Sequence, residues 1–238
     1  MLVSSTLFAQ DFELEEQGVH FIQNTKFRVH DNWSLDNMFQ FRRVDFIENT
    51  QLFFVRPSAN YLFGNGFTLG AGYWFLKFHN AGENGPLITQ NEHRIYEHLT
   101  YKHNTTKLNF AHRIIFEQRH KQKIELSTDP PITFGRSYRQ RLRYRILFSF
   151  NLFSFSNEKP VKFRIFEEVR FRFKGGFSEA EFDQNNLYGQ LGYSFFKNSM
   201  LWSGWGVDYF KLSDHSSLKN NVLWFRLDYK VDLRKKKA

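Results

Sequence analysis

Hydrophobic and polar side chains alternate along this chain with a period of two residues. The alternation is clearest in segment 138–150, where four arginines occupy every second position and mainly apolar residues occupy the positions between them. Residues two apart share one face of a β-strand, whereas on an α-helix they lie about 200° apart. The pattern therefore predicts a strand with one cationic face, which needs water or carboxylates, and one apolar face, which needs a protein core or lipid.

Similar alternation predicts strands through most of the chain, and short connections alternate with longer ones. Two glycines in Gly64-Asn65-Gly66 predict a tight hairpin turn, and segment 120–135 is interpreted as a long loop. Gly70 and Gly72 predict a bend or close packing inside a barrel. The predicted strands are 19–29, 33–44, 51–63, 67–78, 91–102, 107–120, 138–150, 161–173, 187–196, 200–212 and 222–233.

This order of elements is typical of an up-and-down β-meander. We expect an all-β protein that forms a single up-and-down antiparallel transmembrane β-barrel of roughly 10–12 strands. Bacterial single-chain barrels have even strand numbers, so the count should be ten or twelve.

Composition favours one domain at residues 10–238, because no linker or shift in composition divides the chain. Residues 1–9 form an apolar stretch that ends in a small residue. This segment resembles the second half of a secretory signal, although no basic leader precedes it. An ordinary N-terminal segment is the alternative. The chain has no cysteine, which excludes disulfides, thiolate metal sites and a lipoprotein anchor. No apolar run approaches the ~18 residues of a membrane helix.

Alternation shows that the sheet has two unlike faces without showing which face points inward. In a soluble lipocalin-like barrel, aromatic side chains would line a cavity for an apolar ligand and the arginines would face water. In an outer-membrane barrel the orientation is inverted. The signal-like start, a strand count above eight and an aromatic content of 19% favour the membrane version.

If the arginines point inward, they must be paired, because buried charges persist only with partners. Arginine suits such pairing, since its planar guanidinium can bridge two carboxylates. We predict an ion-pair lattice that fills the lumen, with an anion-selective pore as the alternative. Its predicted members are Glu92, Arg94, Arg113, Glu117, Arg119, Arg139, Arg141, Arg143, Arg145, Arg164, Glu168, Arg170, Arg172, Arg226 and Asp228.

Residues of opposite parity on the same strands are predicted to face lipid. They are Leu142, Tyr144, Ile146, Phe148, Phe163, Ile165, Phe171, Phe173, Phe225 and Leu227.

Catalytic and metal-binding chemistry finds little support in the sequence. Nine histidines are present, but His98, His103, His112 and Ser149 have no spacing that singles out a triad. No spacing of metal ligands and no phosphate loop is present. We therefore expect no enzyme activity, no cofactor and no metal, while a membrane-embedded lipid-modifying enzyme stays the second alternative.

The net charge of +9 would suit nucleic acid or anionic lipid. Because most of the basic residues alternate along strands, we expect no nucleic-acid partner. We expect a monomer in contact with lipid of the cell outer membrane, and any small-molecule or ion ligand is unknown.

Six short motifs stand out along the chain. They are Glu92-His93-Arg94-Ile95-Tyr96, Arg113-Ile-Ile-Phe-Glu117-Gln-Arg119, Arg141-Leu-Arg-Tyr-Arg145, Glu167-Glu168, Gly70-Ala-Gly72-Tyr73 and Leu191-Gly192-Tyr193. Their order and spacing resemble an outer-membrane barrel family catalogued as domain of unknown function 2490. The likeness covers the chain from about Val19 onward and implies an outer-membrane β-barrel without supplying an activity. Tyr96 stands where tryptophan is usual in that family and Asn186 where arginine is frequent, which implies that one interior charge pair is missing.

Overall fold

A computed structural model of the chain describes residues 12–82, 85–155, 159–173, 179–212 and 216–234. Residues 1–9, the predicted signal remnant, lie outside the described residues. Within these ranges the chain forms eleven β-strands. Their bounds are β1 Phe12–Arg28, β2 Trp33–Val44, β3 Asn49–Leu62, β4 Phe67–Phe78, β5 Gln90–Asn104, β6 Asn109–Glu125, β7 Ile132–Ser154, β8 Pro160–Phe173, β9 Ala180–Tyr193, β10 Ser199–Lys211 and β11 Ser217–Asp232.

The strands form one closed barrel in which each strand pairs with its neighbours in sequence. All of these neighbouring pairs are antiparallel, and β1 closes the sheet by parallel pairing with β11, from Leu14 opposite Leu218 to Arg28 opposite Asp232. The prediction of an all-β up-and-down barrel of 10–12 strands is confirmed, but the expectation of an even number is wrong. Because successive strands alternate in direction, an odd number leaves the first and last strands parallel.

Connections of different length separate the two ends of the barrel. One end, called here the turn end, carries connections 29–32, 63–66, 105–108, 155–159 and 194–198. The other, called the loop end, carries 45–48, 79–89, 126–131, 174–179 and 212–216. The predicted hairpin at Gly64–Gly66 lies at the turn end, where Gly66 has a φ of +90° that favours glycine.

The predicted loop over residues 120–135 is largely wrong, because strand pairing continues on both sides of it. β6 extends to Glu125, opposite Ile132 at the start of β7, and the register shifts between Gln122 and Lys123. A bulge of this kind inserts an extra residue and changes the phase of alternation. The regular period of two therefore ends before the strands do.

Large side chains meet inside the barrel and leave little space there. Leu52, Phe54, Trp74, Leu76, Tyr96 and Ile115 form one buried cluster. Phe166, Tyr188 and Val222 form a second, with Trp224 packed against it. Gly72 faces this interior, and a Cβ atom there would lie 2.6 Å from the Tyr96 hydroxyl, so the predicted close packing at this glycine is confirmed.

The described residues include no helix long and apolar enough to cross a membrane.

Candidate functional site: the charged lumen

The inner faces of β5 to β9 place most of the predicted lattice inside the barrel. Arg94, Arg141 and Arg143 are 4–5% exposed, and Glu92 and Glu117 are 0% exposed. Alternation along each strand explains this arrangement, because residues two apart point into the same lumen. The orientation that a soluble lipocalin-like barrel would need, with these arginines in solvent, is not the one observed.

Glu117 is the centre of the network. Its Oε1 accepts a hydrogen bond from Arg143 Nη1 at 2.6 Å, and its Oε2 accepts one from Arg141 Nε at 2.8 Å. Arg94 Nη1 also donates to Oε2 at 3.4 Å. One buried carboxylate on β6 therefore binds three arginines from the two strands that flank it, β5 and β7.

Two further glutamates extend the network to either side. Glu92 accepts hydrogen bonds from Arg94 Nε and Arg119 Nε, each at 2.6 Å. Arg94 thereby links Glu92 to Glu117.

On the other side, Glu168 Oε1 accepts from Arg143 Nε at 3.0 Å and from Arg170 Nη2 at 2.9 Å. Arg113 Nη2 reaches Glu168 Oε2 at 3.3 Å. Because Arg143 binds both Glu117 and Glu168, the network continues from β5 to β8.

Smaller ion pairs lie toward the two ends of the barrel. Asp228 Oδ1 accepts from Arg226 Nε at 2.7 Å, and Arg164 Nη1 lies 3.8 Å from Asp228 Oδ2. Near the loop end, Arg172 Nε pairs with Glu181 Oε2 at 3.2 Å. These members of the predicted lattice are ion-paired but separate from the central network.

Arg139 and Arg145 depart from the prediction, because neither forms an ion pair within the described part of the chain. Arg145 is the register partner of Glu168, yet that carboxylate is occupied by three other arginines, and the Arg145 guanidinium instead lies 5.3 Å from the Phe166 ring centroid. Arg139 is exposed at the loop end, opposite Arg119, which already binds Glu92. Both residues share the parity of the lattice and therefore lie on the inner face. Parity does not ensure that a carboxylate is free to pair with them.

The residues predicted to face lipid lie on the outer face, except that one is covered. Tyr144, Ile165, Phe171, Phe225 and Leu227 are 36–40% exposed, while the following are partly exposed: Leu142, Ile146, Phe148 and Phe163.

Phe173 contradicts its prediction, because it is only 8% exposed. It is the last residue of β8, beyond a register shift between Arg170 and Phe171, and lines a small cavity with Tyr138, Arg139 and Arg172. The extra residue at this shift is Asp183 of β9, so the alternation of β8 itself is unbroken. Parity gives the face on which Phe173 lies and does not record the cover that its neighbours provide at the strand end.

The lumen carboxylates that escaped the sequence analysis include Asp183 and Asp208. Asp183 accepts from Arg141 Nη1 at 3.2 Å and extends the network to β9. Asp208 is completely buried and accepts from the Tyr188 hydroxyl at 2.6 Å and from Asn186. Asp208 forms no ion pair with any described residue. Asn186 is the position where the family resemblance implied a missing arginine. Its partner Asp208 is the single acidic residue of β10, which was the signal in the sequence.

Aromatic side chains pack against the ion pairs of Glu92, Glu117 and Glu168. These rings and ion pairs together form the central layer of the lumen, which is called here the plug. The guanidinium carbons of Arg94 and Arg143 lie 4.6 Å and 5.3 Å from the Trp74 ring centroid. The contact between Trp74 and Arg143 joins β4 to β7 across the interior. On the opposite wall, Tyr188 and Trp224 have ring centroids 4.4 Å apart. The ion pairs and rings together leave a cavity of about 270 Å³ around the plug and a larger one of about 670 Å³ toward the turn end.

Among the described residues, no three His, Cys, Asp or Glu side chains are grouped to hold a metal ion. The histidines have separate partners. His98 Nε2 lies 2.9 Å from Asn60 Oδ1 in the lumen, His20 Nδ1 accepts from Trp224 Nε1 at 2.7 Å, and His112 contacts the Tyr144 hydroxyl on the outer face. These contacts do not assemble a nucleophile, base and orienting carboxylate.

The closing seam is reinforced at the turn end. Arg234, which follows β11, donates to Asp31 in the β1–β2 connection at 2.7 Å, and Leu233 N donates to Arg28 O at 2.9 Å. The hydrogen bond from Arg234 holds the pKa of Asp31 below its ordinary value. The end of β11 is therefore bound to both β1 and the turn that follows it.

These features define a closed β-barrel with a charged lumen. The family model described as "Protein of unknown function (DUF2490)" matches residues 17–219. The chain therefore belongs to this family, and the resemblance seen in the sequence is confirmed. No curated protein and no solved structure matches the chain.

Proposed function

We propose that this protein is an integral outer-membrane β-barrel whose lumen is closed by the plug, with a structural or binding role and no enzyme activity. The observation that carries the proposal is the direction of the two faces. Charged side chains are buried inside, and large apolar side chains are exposed around the outside. A barrel surrounded by water would gain nothing from this orientation.

The outer apolar surface extends around almost the whole barrel. Ten of the eleven strands expose a large hydrophobic residue near the middle of the strand, which matches the apolar band of about 25 Å on transmembrane barrels. These residues are Phe21, Phe39, Tyr73, Ile95, Ile114, Tyr144, Ile165, Leu187, Trp205 and Leu223.

Aromatic pairs between neighbouring strands lie next to this band at the turn end. The ring centroids of Trp33 and Tyr61 are 5.2 Å apart, and those of Phe67 and Tyr101 are 4.5 Å apart. Aromatic girdles at the two membrane interfaces are typical of outer-membrane barrels. A membrane position in which the turn end lies at one interface accounts for both features.

Two outer-face carboxylates, Glu97 and Glu167, interrupt the apolar band. Both are exposed, and Glu167 accepts a hydrogen bond from Asn185 at 2.9 Å. Acidic residues cost less than Arg or Lys on the lipid face of a barrel, and the register partners of both carboxylates are apolar: Ala71 and Phe116 for Glu97, and Ile146 and Leu187 for Glu167. The band therefore tolerates both without losing its apolar character.

Insertion can be tested with the full chain fused to an outer-membrane export signal. We expect it to fractionate with outer membranes, to require detergent for extraction and to migrate faster on gels before boiling than after. A soluble monomer obtained without detergent would contradict the proposal and favour the soluble barrel. Mislocalisation alone is excluded by refolding the purified chain into vesicles and repeating the gel assay.

A further inference from the structure

Four lysines form a rim inside the turn end of the barrel. Lys26, Lys102, Lys162 and Lys230 each lie two residues from the turn-side end of their strands, and all four line the cavity of about 670 Å³. Lys26 and Lys230 are direct register partners across the parallel seam. This cavity and its lysine rim are called here the vestibule.

Positive charge in the vestibule greatly exceeds negative charge. Among the described residues, eight Lys and Arg side chains line it, against two carboxylates, Asp36 and Asp228. Asp228 is occupied by Arg226 and accepts from Trp202 Nε1 at 3.0 Å. None of the four rim lysines forms an ion pair or side-chain hydrogen bond with another described residue, and Asp36 is the one carboxylate among the described lining residues that Arg226 does not occupy.

This composition differs from that of the plug, where each glutamate binds two or three arginines. A structural filling of the lumen would need paired charges, because unpaired charges in a confined space are costly. A concave surface with one sign of charge instead focuses the electrostatic field and concentrates ions of the opposite sign. The vestibule thus has the electrostatics of an anion site, and the plug closes its inner end.

The remaining lining residues indicate what else the anion carries. Side-chain amides and hydroxyls, including Asn60, Thr100 and Ser149, lie between the basic groups. Such groups bind ligand hydroxyls, and lysine ammonium groups bind phosphate as point charges. The volume lies within the roughly 300–1,000 Å³ of small-molecule pockets.

From this arrangement we infer that the vestibule binds a phosphate ester that also carries hydroxyl groups. The ester enters from the turn end, the phosphates bind the lysine rim and the arginines beneath it, and the hydroxyls bind the amides and hydroxyls of the wall. The inference depends on the geometry of the lumen and not on membrane insertion, so the two proposals can fail separately.

Binding can be measured by calorimetry on the folded full chain in zwitterionic detergent, with glucose 1,6-bisphosphate as the probe and glucose as the uncharged comparison. We expect the bisphosphate to bind, more weakly as ionic strength rises, and glucose not to bind. The double variant K102Q/K230Q should bind at least ten-fold more weakly, on the order of 1.4 kcal/mol. Both lysines are exposed, so the fold should persist, which heat-modifiable mobility will verify.

The control variant K77Q/K123Q removes the same charge from exposed lysines away from the vestibule and should bind within two-fold of the unaltered chain. Equal weakening in both double variants, or no binding by the unaltered chain, would overturn the inference. If K102Q/K230Q fails to fold, K26Q/K162Q provides the same comparison. Competition by phosphatidylglycerol in the micelle would assign the site to a lipid head group, and lack of competition to a free phosphorylated sugar.

Discussion

Arg143 and Arg145 lie two residues apart on the inner face of β7 but have different surroundings. Arg143 binds Glu117 and Glu168, at 2.6 Å and 3.0 Å respectively, whereas Arg145 has no carboxylate partner in the described part of the chain and contacts the Phe166 ring. Breaking a buried ion pair leaves an uncompensated charge and costs about 3–5 kcal/mol. The two positions therefore form a matched pair for testing the plug.

Arg143→Leu should lower the free energy of unfolding by about 3 kcal/mol, because Glu117 and Glu168 each lose a buried donor. Arg145→Leu should change it by less than about 1 kcal/mol, because no carboxylate is left unpaired. Denaturant titration of the refolded barrel in micelles measures both. Equal losses would count against the ion-pair origin of the stabilisation.

Residue parity predicted that the lattice residues share one face because parity depends only on local strand geometry, and the membrane interpretation made that face the inner one. It could not predict which carboxylate each arginine binds, since long side chains reach two or three neighbours and competition among them decides. Glu168 illustrates this limit, because its register partner is Arg145 but its ligands are Arg113, Arg143 and Arg170. Asp208 was missed for a related reason, because its partners Asn186 and Tyr188 are uncharged.

At the scale of elements, the sequence located all eleven strands, and two of them, 33–44 and 67–78, with the bounds observed. Alternation survives wherever one face is apolar and the other polar, and bulges interrupt it near the loop end of β7, at Gly135, and of β9, at Asp183. Closure was not predictable in the same way. The pairing of β1 with β11 depends on the total number of strands, which no single segment records.

The parallel seam can be tested by a disulfide, because the chain has no native cysteine. Gln23 and Leu227 are register partners on the outer face, and adjacent strands lie about 4.8 Å apart, within disulfide range. The double variant Q23C/L227C should form a cross-link on oxidation, seen as a reduction-sensitive mobility shift after boiling.

The control for the seam is Q23C/R226C, in which Arg226 points into the lumen. Its two sulfur atoms would lie on opposite faces of the sheet, so little cross-link should form. An equal yield in both variants, or none in Q23C/L227C, would rule out the observed register and with it the eleven-stranded closure.

At the scale of the whole molecule, the apolar band predicts that a new positive charge costs more stability in the middle of the band than near the loop end. Leu187→Arg places a cation in the middle of the band and should destabilise the barrel in bilayers by about 2–4 kcal/mol. Tyr138→Arg changes an exposed outer residue near the loop end and should cost at most about 1 kcal/mol. Reversible unfolding from vesicles measures the two values, and similar costs would contradict the placement of the band.

A conductance measurement distinguishes a plugged barrel from an anion pore, which is the alternative that the sequence pattern left open. The plug joins β4 to β7 through the Trp74 stack and β5 to β8 through Glu117 and Glu168, so the unaltered chain in planar bilayers should show no steady current. Removing one ion pair from the plug, in E117A/R143A, should open a conductance. Because arginines outnumber carboxylates in the remaining lining, that current should favour anions over cations.

The matched control is E97A/R136A, which removes one acidic and one basic residue from exposed positions. This variant should show no steady current. Heat-modifiable mobility must show that each variant is folded before its current is interpreted. A steady current through the unaltered chain would contradict the plug. If folded E117A/R143A carries no current, the aromatic contacts of Trp74, Tyr188 and Trp224 close the lumen without this ion pair.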